Sequence, residues 1–256
     1  MNPLTQLLHL VGSGAVAYIS ARNLRDRQTR PNVLAGFQLA EAGAVPFLSA
    51  LSERASTEGD DWLAESLARH AQDERRHSQI FAHALKQLNK QVIDFSQVPE
   101  RDAAGNPDKR RRSPFFEAYY RGFEQTDLAP QTIDWMAFFI STHILELDAS
   151  KDFARMALTL PDSDPASSNL KKGLLSIAED EKRHAAYLLE AAQRRFSYAA
   201  VSHQVDEWRS RKVDALIAMV GNLVQQGGES PSLVRDGAPV DMVEDMVEDT
   251  AELATV

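Results

Sequence analysis

One five-residue pattern occurs twice in this chain and constrains its fold more than any other feature. Residues 73–77 read Asp-Glu-Arg-Arg-His, and residues 180–184 read Asp-Glu-Lys-Arg-His. Apolar residues one or two turns away, such as Leu67 and Leu174, place both copies in helices whose apolar faces point towards a core. An unpaired carboxylate in such a core would be costly, and a bound metal ion would remove that cost. The repeat therefore predicts two helices that direct Glu and His side chains at metal ions.

The rest of the sequence also predicts long helices. Apolar residues recur every three or four positions, and runs of alternating β-branched residues are missing. We expect an all-α fold, a four-helix bundle with a long crossover, together with additional helices. The bundle helices are expected to begin near Pro31 and Pro130 and to be separated by polar breaks at 56–60 and 161–165. A shorter helix is expected at 115–123, after a charged loop at 97–114.

Charge and hydropathy divide the chain into four predicted segments. These are an N-terminal helical segment (1–30), the bundle (31–198), an amphipathic C-terminal helix (199–227) and an acidic disordered tail (228–256). The net charge is −9, and eight acidic residues with one arginine lie at 229–256, which leaves −2 for the remainder. A nearly neutral body does not favour nucleic acid as the main partner.

Composition also limits the cofactor and the compartment. The chain has no cysteine, which excludes disulfides, Cys-ligated zinc, iron–sulfur clusters and thiol nucleophiles, so a redox metal must bind to His, Asp and Glu. The apolar stretch 7–19 is too short to cross a bilayer and lacks the basic start of a secretory signal. We therefore expect no membrane span and a cytoplasmic location.

The repeated pattern contains Glu-x-x-His, whose two functional side chains lie on one face of a helix. Two copies supply four ligands, and a pair of metal ions in a four-helix bundle needs about one more carboxylate from each remaining helix. Glu41 is the only acidic residue inside the apolar stretch of the first bundle helix, and Glu146 lies deep in the third. The predicted metal ligands are Glu41, Glu74, His77, Glu146, Glu181 and His184.

The predicted turns are consistent with this ligand set. When two antiparallel helices hold ligands at one height, the turn between them falls midway in sequence. The midpoint of residues 41 and 74 lies within the break at 56–60, and that of residues 146 and 181 lies within the break at 161–165. Each helical arm then spans about 16 residues, or roughly 24 Å. The sequence therefore predicts two similar hairpins related by a pseudo-twofold axis.

With these residues the chain resembles the ferritin-like di-iron carboxylate superfamily over about residues 31–198. That superfamily includes ferritins, rubrerythrins, the ribonucleotide reductase small subunit, acyl-carrier-protein desaturases, bacterial multicomponent monooxygenases and aldehyde-deformylating oxygenases. Residues 180–184 are also similar to motifs in soluble desaturases and in the aerobic chlorophyll-ring cyclase. The resemblance implies a ferritin-like bundle that binds two iron ions, with a manganese–iron pair as the alternative.

The resemblance also implies roles for individual residues. Glu74 and Glu181 would bridge the two metals, Glu41 and Glu146 would be terminal ligands, and each motif histidine would bind one iron. Asp73 and Asp180 look like carboxylates that orient these histidines, each on the ring of the opposite motif, although they could simply be solvated.

Four further residues are weaker candidates. His70 and His143 could lie beside the ligands, and ordinary helix histidines are the alternative. Ser150 lies one turn after Glu146, where monooxygenases and desaturases of this superfamily place a hydroxyl near oxygen; it is our one catalytic candidate, and a bond to its own helix backbone is the alternative. Tyr187 could act in electron transfer or simply pack.

We expect a non-haem di-iron oxidoreductase that activates O2 to hydroxylate, desaturate or otherwise oxidise a C–H bond of a small apolar organic substrate. Carboxylate-rich ligation favours iron or manganese over copper. Electrons would come from an external ferredoxin or reductase, because no other redox cofactor site is apparent. The alternatives are iron handling, as a ferroxidase or a rubrerythrin-like peroxidase without a rubredoxin module, and a metal-stabilised scaffold without catalysis.

Two expectations concern macromolecular partners. The run Lys109-Arg110-Arg111-Arg112 could be a solvated loop or could dock an acidic partner such as a carrier protein. The superfamily resemblance also implies a homodimer.

Overall fold

The computed structural model describes residues 3–101, 105–225 and 231–237, and this part of the chain is mostly helical, which confirms the all-α class. Seven α-helices are present in the described residues: α1 (Pro3–Arg25), α2 (Arg30–Thr57), α3 (Asp61–Gln87), α4 (Pro114–Tyr119), α5 (Trp135–Thr159), α6 (Pro165–Arg195) and α7 (Tyr198–Gln225).

Helices α2, α3, α5 and α6 form two helical hairpins. Asp60 ends the turn between α2 and α3 and accepts a hydrogen bond from the Leu63 amide at 3.0 Å. Asp164 caps α6 in the same way, accepting from the Ser167 amide at 2.9 Å. Each cap satisfies an amide that the helix cannot pair internally. The short capped turns hold α2 against α3 and α5 against α6 in antiparallel pairs.

The two hairpins meet through α3 and α6, which are in direct contact. On the opposite side aromatic side chains join α2 to α5. Phe37 lies 5.1 Å from Phe153 between ring centroids, and Phe47 lies 6.0 Å from Phe138. The four helices therefore enclose a shared interior, and α1 and α7 pack on its outside.

Helix α7 is fixed to the bundle by a buried ion pair as well as by apolar contacts. Lys212 Nζ donates to Asp148 Oδ2 on α5 at 2.6 Å, and both side chains are buried. Trp208 packs at 5.0 Å from the ring of Tyr119 on α4. The amphipathic stretch predicted after the bundle is thus an integral outer helix.

The crossover between α3 and α5 contains structure that the sequence analysis did not predict. Strand β1 (Lys90–Val92) pairs antiparallel with β2 (Val234–Asp236) in the described part of the chain. The prediction of a disordered tail from residue 228 is therefore wrong for β2, and residues 238–256 of that tail lie outside the described residues. Residues 109–111 form a single 3-10 turn.

Two predicted helix boundaries need correction. The third bundle helix begins at Trp135 and not near Pro130, because the Asp134 carboxylate accepts from the Ala137 amide at 2.9 Å and sets the first turn there. The short helix predicted at 115–123 ends at Tyr119. Pro130 therefore lies in the turn before α5 and is not the first residue of that helix.

Among the described residues, only α2 is long and apolar enough to cross a bilayer by length and composition. Few residues of its most apolar window are buried in the fold. The prediction that the chain has no membrane span was based on the stretch at 7–19 and not on α2. One such helix near the N-terminus is weak evidence for a membrane protein, since core helices of soluble proteins pass the same test.

Candidate metal centre

All four bundle helices contribute side chains to one cluster in the interior. On α3, His70, Glu74 and His77 are spaced by four and three residues, so they lie on one face of the helix. Helix α6 presents Glu181 and His184 from the facing position. Single carboxylates complete the cluster, Glu41 from α2 and Glu146 from α5.

The cluster divides into two sets of ligand atoms, and within each set all atoms lie within 4.8 Å of one another. The first ligand group consists of His70, Glu74, Glu146 and His184; the second ligand group consists of Glu41, Glu74, His77 and Glu181. Glu74 belongs to both groups, which is the arrangement expected of a carboxylate that bridges two ions. The six predicted ligands are thus together, each motif histidine in a different group, and His70 joins them.

The inner nitrogen of each histidine faces carboxylate oxygens. His70 Nε2 lies 2.8 Å from Glu74 Oε1 and 3.5 Å from Glu146 Oε1. His77 Nδ1 lies 3.3 Å from Glu181 Oε1 and 3.5 Å from Glu74 Oε2. His184 Nδ1 is 3.5 Å from both Glu74 Oε1 and Glu181 Oε2. The donor atoms therefore converge, although they come from helices on both sides of the core.

Several of these atoms are buried without a hydrogen-bond partner among the described residues. They are Glu74 Oε2, His77 Nδ1, Glu181 Oε2 and His184 Nδ1. Leaving a buried polar atom unsatisfied costs about 1–3 kcal/mol. Four such atoms around one point, two on α3 and two on α6, fit a cluster whose partner is a bound cation. Oxygen and imidazole donors are the ligands that iron, manganese and zinc prefer.

The outer nitrogen of each histidine is held by a second side chain. His77 Nε2 lies 3.1 Å from Asp180 Oδ2, and His184 Nε2 lies 3.1 Å from Asp73 Oδ2. Each aspartate thus contacts the histidine of the opposite motif, as the sequence analysis expected. An acceptor on the outer nitrogen fixes the tautomer and leaves the inner nitrogen free to bind metal.

Arginines hold these two aspartates in turn. Arg76 and Arg183 both donate to Asp180, and Arg183 Nη2 also approaches Asp73 Oδ2 at 3.5 Å. The histidine–aspartate pairs are therefore anchored at the surface of the α3–α6 interface. Burial alone would raise the pKa of Asp73, but the hydrogen bond with His184 and the charges of Arg183 and Arg76 outweigh it and lower that pKa, which keeps Asp73 ionised as an acceptor.

His70 has the same arrangement with a different partner. Its Nδ1 lies 2.8 Å from the hydroxyl of Tyr187, and its ring stacks on that of His184 with centroids 3.7 Å apart. The sequence predicted that His70 lies beside the ligands. In the structure its Nε2 atom is as close to the carboxylate oxygens as the Nδ1 atoms of His77 and His184 are. The missed signal is the spacing His-x-x-x-Glu-x-x-His, which the second copy lacks because Ile177 occupies the matching position.

Without bound cations, two of the four carboxyl groups, Glu146 and Glu41, have raised pKa values. Burial, with the charge of Glu181, raises the pKa of Glu146 to about 8. Burial and a hydrogen bond with Glu74 hold the pKa of Glu41 well above its usual range. Burial alone would also raise the pKa of Glu74, but hydrogen bonds with Glu41 and His70 outweigh it and lower that pKa. Four carboxyl groups this close can all be ionised only if bound cations balance them.

The first ligand group also adjoins the surface. A cavity of about 280 Å³ reaches His70, His184 and Tyr187, with Arg69 and Arg183 among its other lining residues. On the opposite side the Glu146 side chain is 15% exposed, whereas those of Glu74 and Glu181 are almost fully buried. Solvent therefore comes close to the first ligand group through this cavity, and Glu41 of the second ligand group is also partly exposed.

Two weaker candidates lie outside both ligand groups. The Ser150 hydroxyl donates to the Leu147 carbonyl at 2.9 Å, which is the backbone bond that the sequence analysis kept as the alternative. His143 is buried, and its Nδ1 lies 2.7 Å from the Ala185 carbonyl. Burial lowers the pKa of His143, so its ring is neutral and ties α5 to α6 directly beside His184.

Comparisons of the chain with protein-family models, curated proteins and solved structures found no match. The assignment of the site therefore depends on its geometry and chemistry.

Proposed function

We propose that this chain is a di-metal carboxylate protein of the ferritin-like superfamily, an oxidoreductase that uses two iron ions to activate O2 and oxidise a small organic substrate. The observation that carries the proposal is the pair of overlapping ligand groups, four carboxylates and three imidazoles from four helices, with Glu74 common to both. Two divalent cations would balance the four carboxylate charges, and a single ion would leave one ligand group unsatisfied.

When bound, the metal pair would supply the electrons that reduce O2. Iron is favoured over copper by the carboxylate-rich donor set, and a manganese–iron pair has the same preferences. The chain's own contribution is to hold the ligands before metal arrives. Asp73, Asp180 and Tyr187 hold the outer histidine nitrogens, so the inner nitrogens point at the ions without reorganisation.

The bundle also controls protons and water at the site. Helices α3 and α6 bury the shared carboxylate Glu74 and its partner Glu181 almost completely, which excludes water from the centre. Glu146 holds its proton at neutral pH until a cation displaces it. Its partial exposure makes its carboxyl group a route by which that proton reaches solvent.

Anaerobic titration with ferrous iron, followed by exposure to O2, tests the proposal. We expect two ions per chain and uptake of O2 by the loaded protein. The variant Glu181→Gln should bind fewer ions, and Glu179→Gln, an exposed position on the same helix, should bind two. One ion per chain, or two ions without O2 uptake, would contradict the oxidase.

The same experiment separates the alternatives. If O2 uptake continues only while fresh ferrous iron is added, and ferric iron accumulates, the protein is a ferroxidase. If Glu181→Gln lowers the melting temperature while the loaded wild-type chain consumes no O2, the metal is structural.

A further inference from the structure

A second site-sized cavity lies away from the metal centre. It has a volume of about 480 Å³ and is formed where the second half of α1, the end of α7, the crossover loop and the segment before β2 meet. None of its lining residues belongs to either ligand group. Its size falls in the range of small-molecule sites.

The walls of this cavity are apolar. Val16 and Ile19 project from α1, Val220 and Leu223 from α7, and Leu233 closes one end. Val220 is 39% exposed although it lines the cavity, so a large apolar side chain faces solvent there. Removing such surface from water would stabilise a bound apolar group.

The mouth of the cavity is basic. It is lined by Lys109, Arg110 and Arg112, which belong to the run for which the sequence predicted either a solvated loop or a docking site for an acidic partner. Asp108 pairs with Arg110, and Glu117 pairs with Arg112 at 2.6 Å, whereas Lys109 has no ion-pair partner among the described residues. Including Arg111, the run retains a net charge of +2 after both acids are counted. Arg112 is 54% exposed, so its guanidinium remains accessible to a ligand.

A neighbouring depression extends the same feature. It measures about 460 Å³ and shares Arg112, Pro114 and Asn222 with the cavity. The apolar walls, the basic mouth and the adjoining depression suit a molecule that is long, apolar along most of its length and negatively charged at one end.

We propose that this cavity binds a single-chain amphiphile with an anionic head, a long-chain carboxylate being the simplest case. The alkyl chain lies between α1 and α7, and the head group pairs with Lys109 and Arg112. This cavity shares no residue with the metal centre, so the proposal does not depend on the proposed oxidase activity.

Methionine-methyl NMR of the full chain tests the proposal without reference to activity. Met219 lines the cavity, whereas Met136 and Met156 are buried elsewhere. Palmitate, added below its micelle concentration, should shift the Met219 signal saturably and leave the other two unchanged. The absence of a saturable shift at Met219 would overturn the proposal.

Two matched pairs of variants test the chemistry. Val220→Asp should abolish palmitate binding, and Val224→Asp, four residues later at a position 73% exposed, should not. The double variant Lys109→Ala/Arg112→Ala should weaken binding about tenfold, and hexadecanol should bind the wild-type chain about tenfold more weakly than palmitate. Lys172→Ala, an exposed lysine on α6, should have no effect.

Other results would overturn the assignment. Equal affinity for palmitate and hexadecanol would exclude a role for the basic mouth. A doubled mass in light scattering that palmitate does not change would indicate that a second copy of the chain covers the apolar walls.

Discussion

The two halves of the candidate metal centre contain the same sequence pattern, but the residues beside that pattern differ. A shift of 107 residues superposes Glu74 on Glu181 and His77 on His184 in sequence, and the orienting aspartates correspond as well. The same shift places His70 against Ile177 and Tyr187 against Ile80. One half therefore has a hydrogen-bonded His–Tyr pair where the other half has two isoleucines.

The surroundings of the His70–Tyr187 pair and of the two isoleucines also differ, in packing and in access to solvent. Ile80 and Ile177 belong to one apolar cluster, and Ile80 packs so closely on Gly173 that a Cβ atom there would lie 2.6 Å from it. The position that corresponds to Gly173 is Ser66, which lines the open cavity with His70 and Tyr187. The residues beside the ligands are therefore apolar and tightly packed in one half, and they line an open cavity in the other half.

From this difference we infer that the two proposed metal positions are not equivalent. The first ligand group offers two imidazoles and two carboxylates, and the second offers one imidazole and three carboxylates. We expect two binding steps of unequal affinity, and the first position also adjoins the cavity lined by His70, His184 and Tyr187.

Replacing Glu74, the carboxylate that both ligand groups share, should weaken metal binding at both positions. Glu74→Ala removes a ligand from both groups, so the metal content should fall from two ions per chain to less than one. Glu65→Ala, an exposed glutamate on the same helix, is the matched control and should retain two ions. Elemental analysis after gel filtration measures both, and a Glu74→Ala variant that keeps two ions would refute the shared role.

Removing the extra histidine should affect one position only. His70→Ala should weaken one binding step by about 100-fold or more, since even residues that only orient a ligand contribute 10–100-fold. The other step should stay within about threefold of wild type. Calorimetric titration with ferrous or manganous ion resolves the two steps, and His83→Ala on the exposed face of α3 is the control. Equal weakening of both steps would contradict the assignment of His70 to a single group.

Removing the tyrosine hydroxyl should have a smaller effect on the same step. Tyr187→Phe leaves the His70 ring in place but without its partner at Nδ1, and we expect about tenfold weaker binding at the first position. Tyr198→Phe, at a position 82% exposed, should bind as wild type. If Tyr187→Phe changes the second step instead, the pairing of Tyr187 with the first group is wrong.

A pH dependence of stability should distinguish chelated from loaded protein. With the pKa of Glu146 raised to about 8, the folded chelated protein keeps a proton that the unfolded chain has lost, so stability falls as the pH rises towards 8. The raised pKa of His70 acts in the same direction above its ordinary value. The melting temperature of chelated protein should therefore be lower at pH 8 than at pH 6.5, and the decrease should be smaller in Glu146→Gln. A rise with pH in the chelated wild-type protein would contradict the account.

The long helices, the hairpin turns and most of the ligand set could be predicted from helix periodicity and from the spacing of the ligands. The long helices follow from apolar residues at spacings of three and four, and the hairpin turns fall midway between paired ligands because antiparallel helices rise equally on each side. Glu41 and Glu146 could be singled out because an acidic residue inside an apolar helix needs a partner.

Other features depended on contacts that spacing does not encode. The pairing of β1 with β2 joins segments more than 140 residues apart, and nothing local to either strand predicts it. His70 was underestimated because a comparison of the two repeats favours what they share, and its role depends on Glu146 and Tyr187 from other helices. The apolar composition of α2 can be read from the sequence, whereas the exposure of most of its apolar window depends on how the neighbouring helices pack.

Anomalous X-ray scattering at the iron edge, from crystals of the iron-loaded chain, would locate the metal ions. We expect two peaks inside the bundle, one among the first ligand group (His70, Glu74, Glu146 and His184) and the other among the second (Glu41, Glu74, His77 and Glu181). A single peak, or peaks outside these two groups, would contradict this expectation.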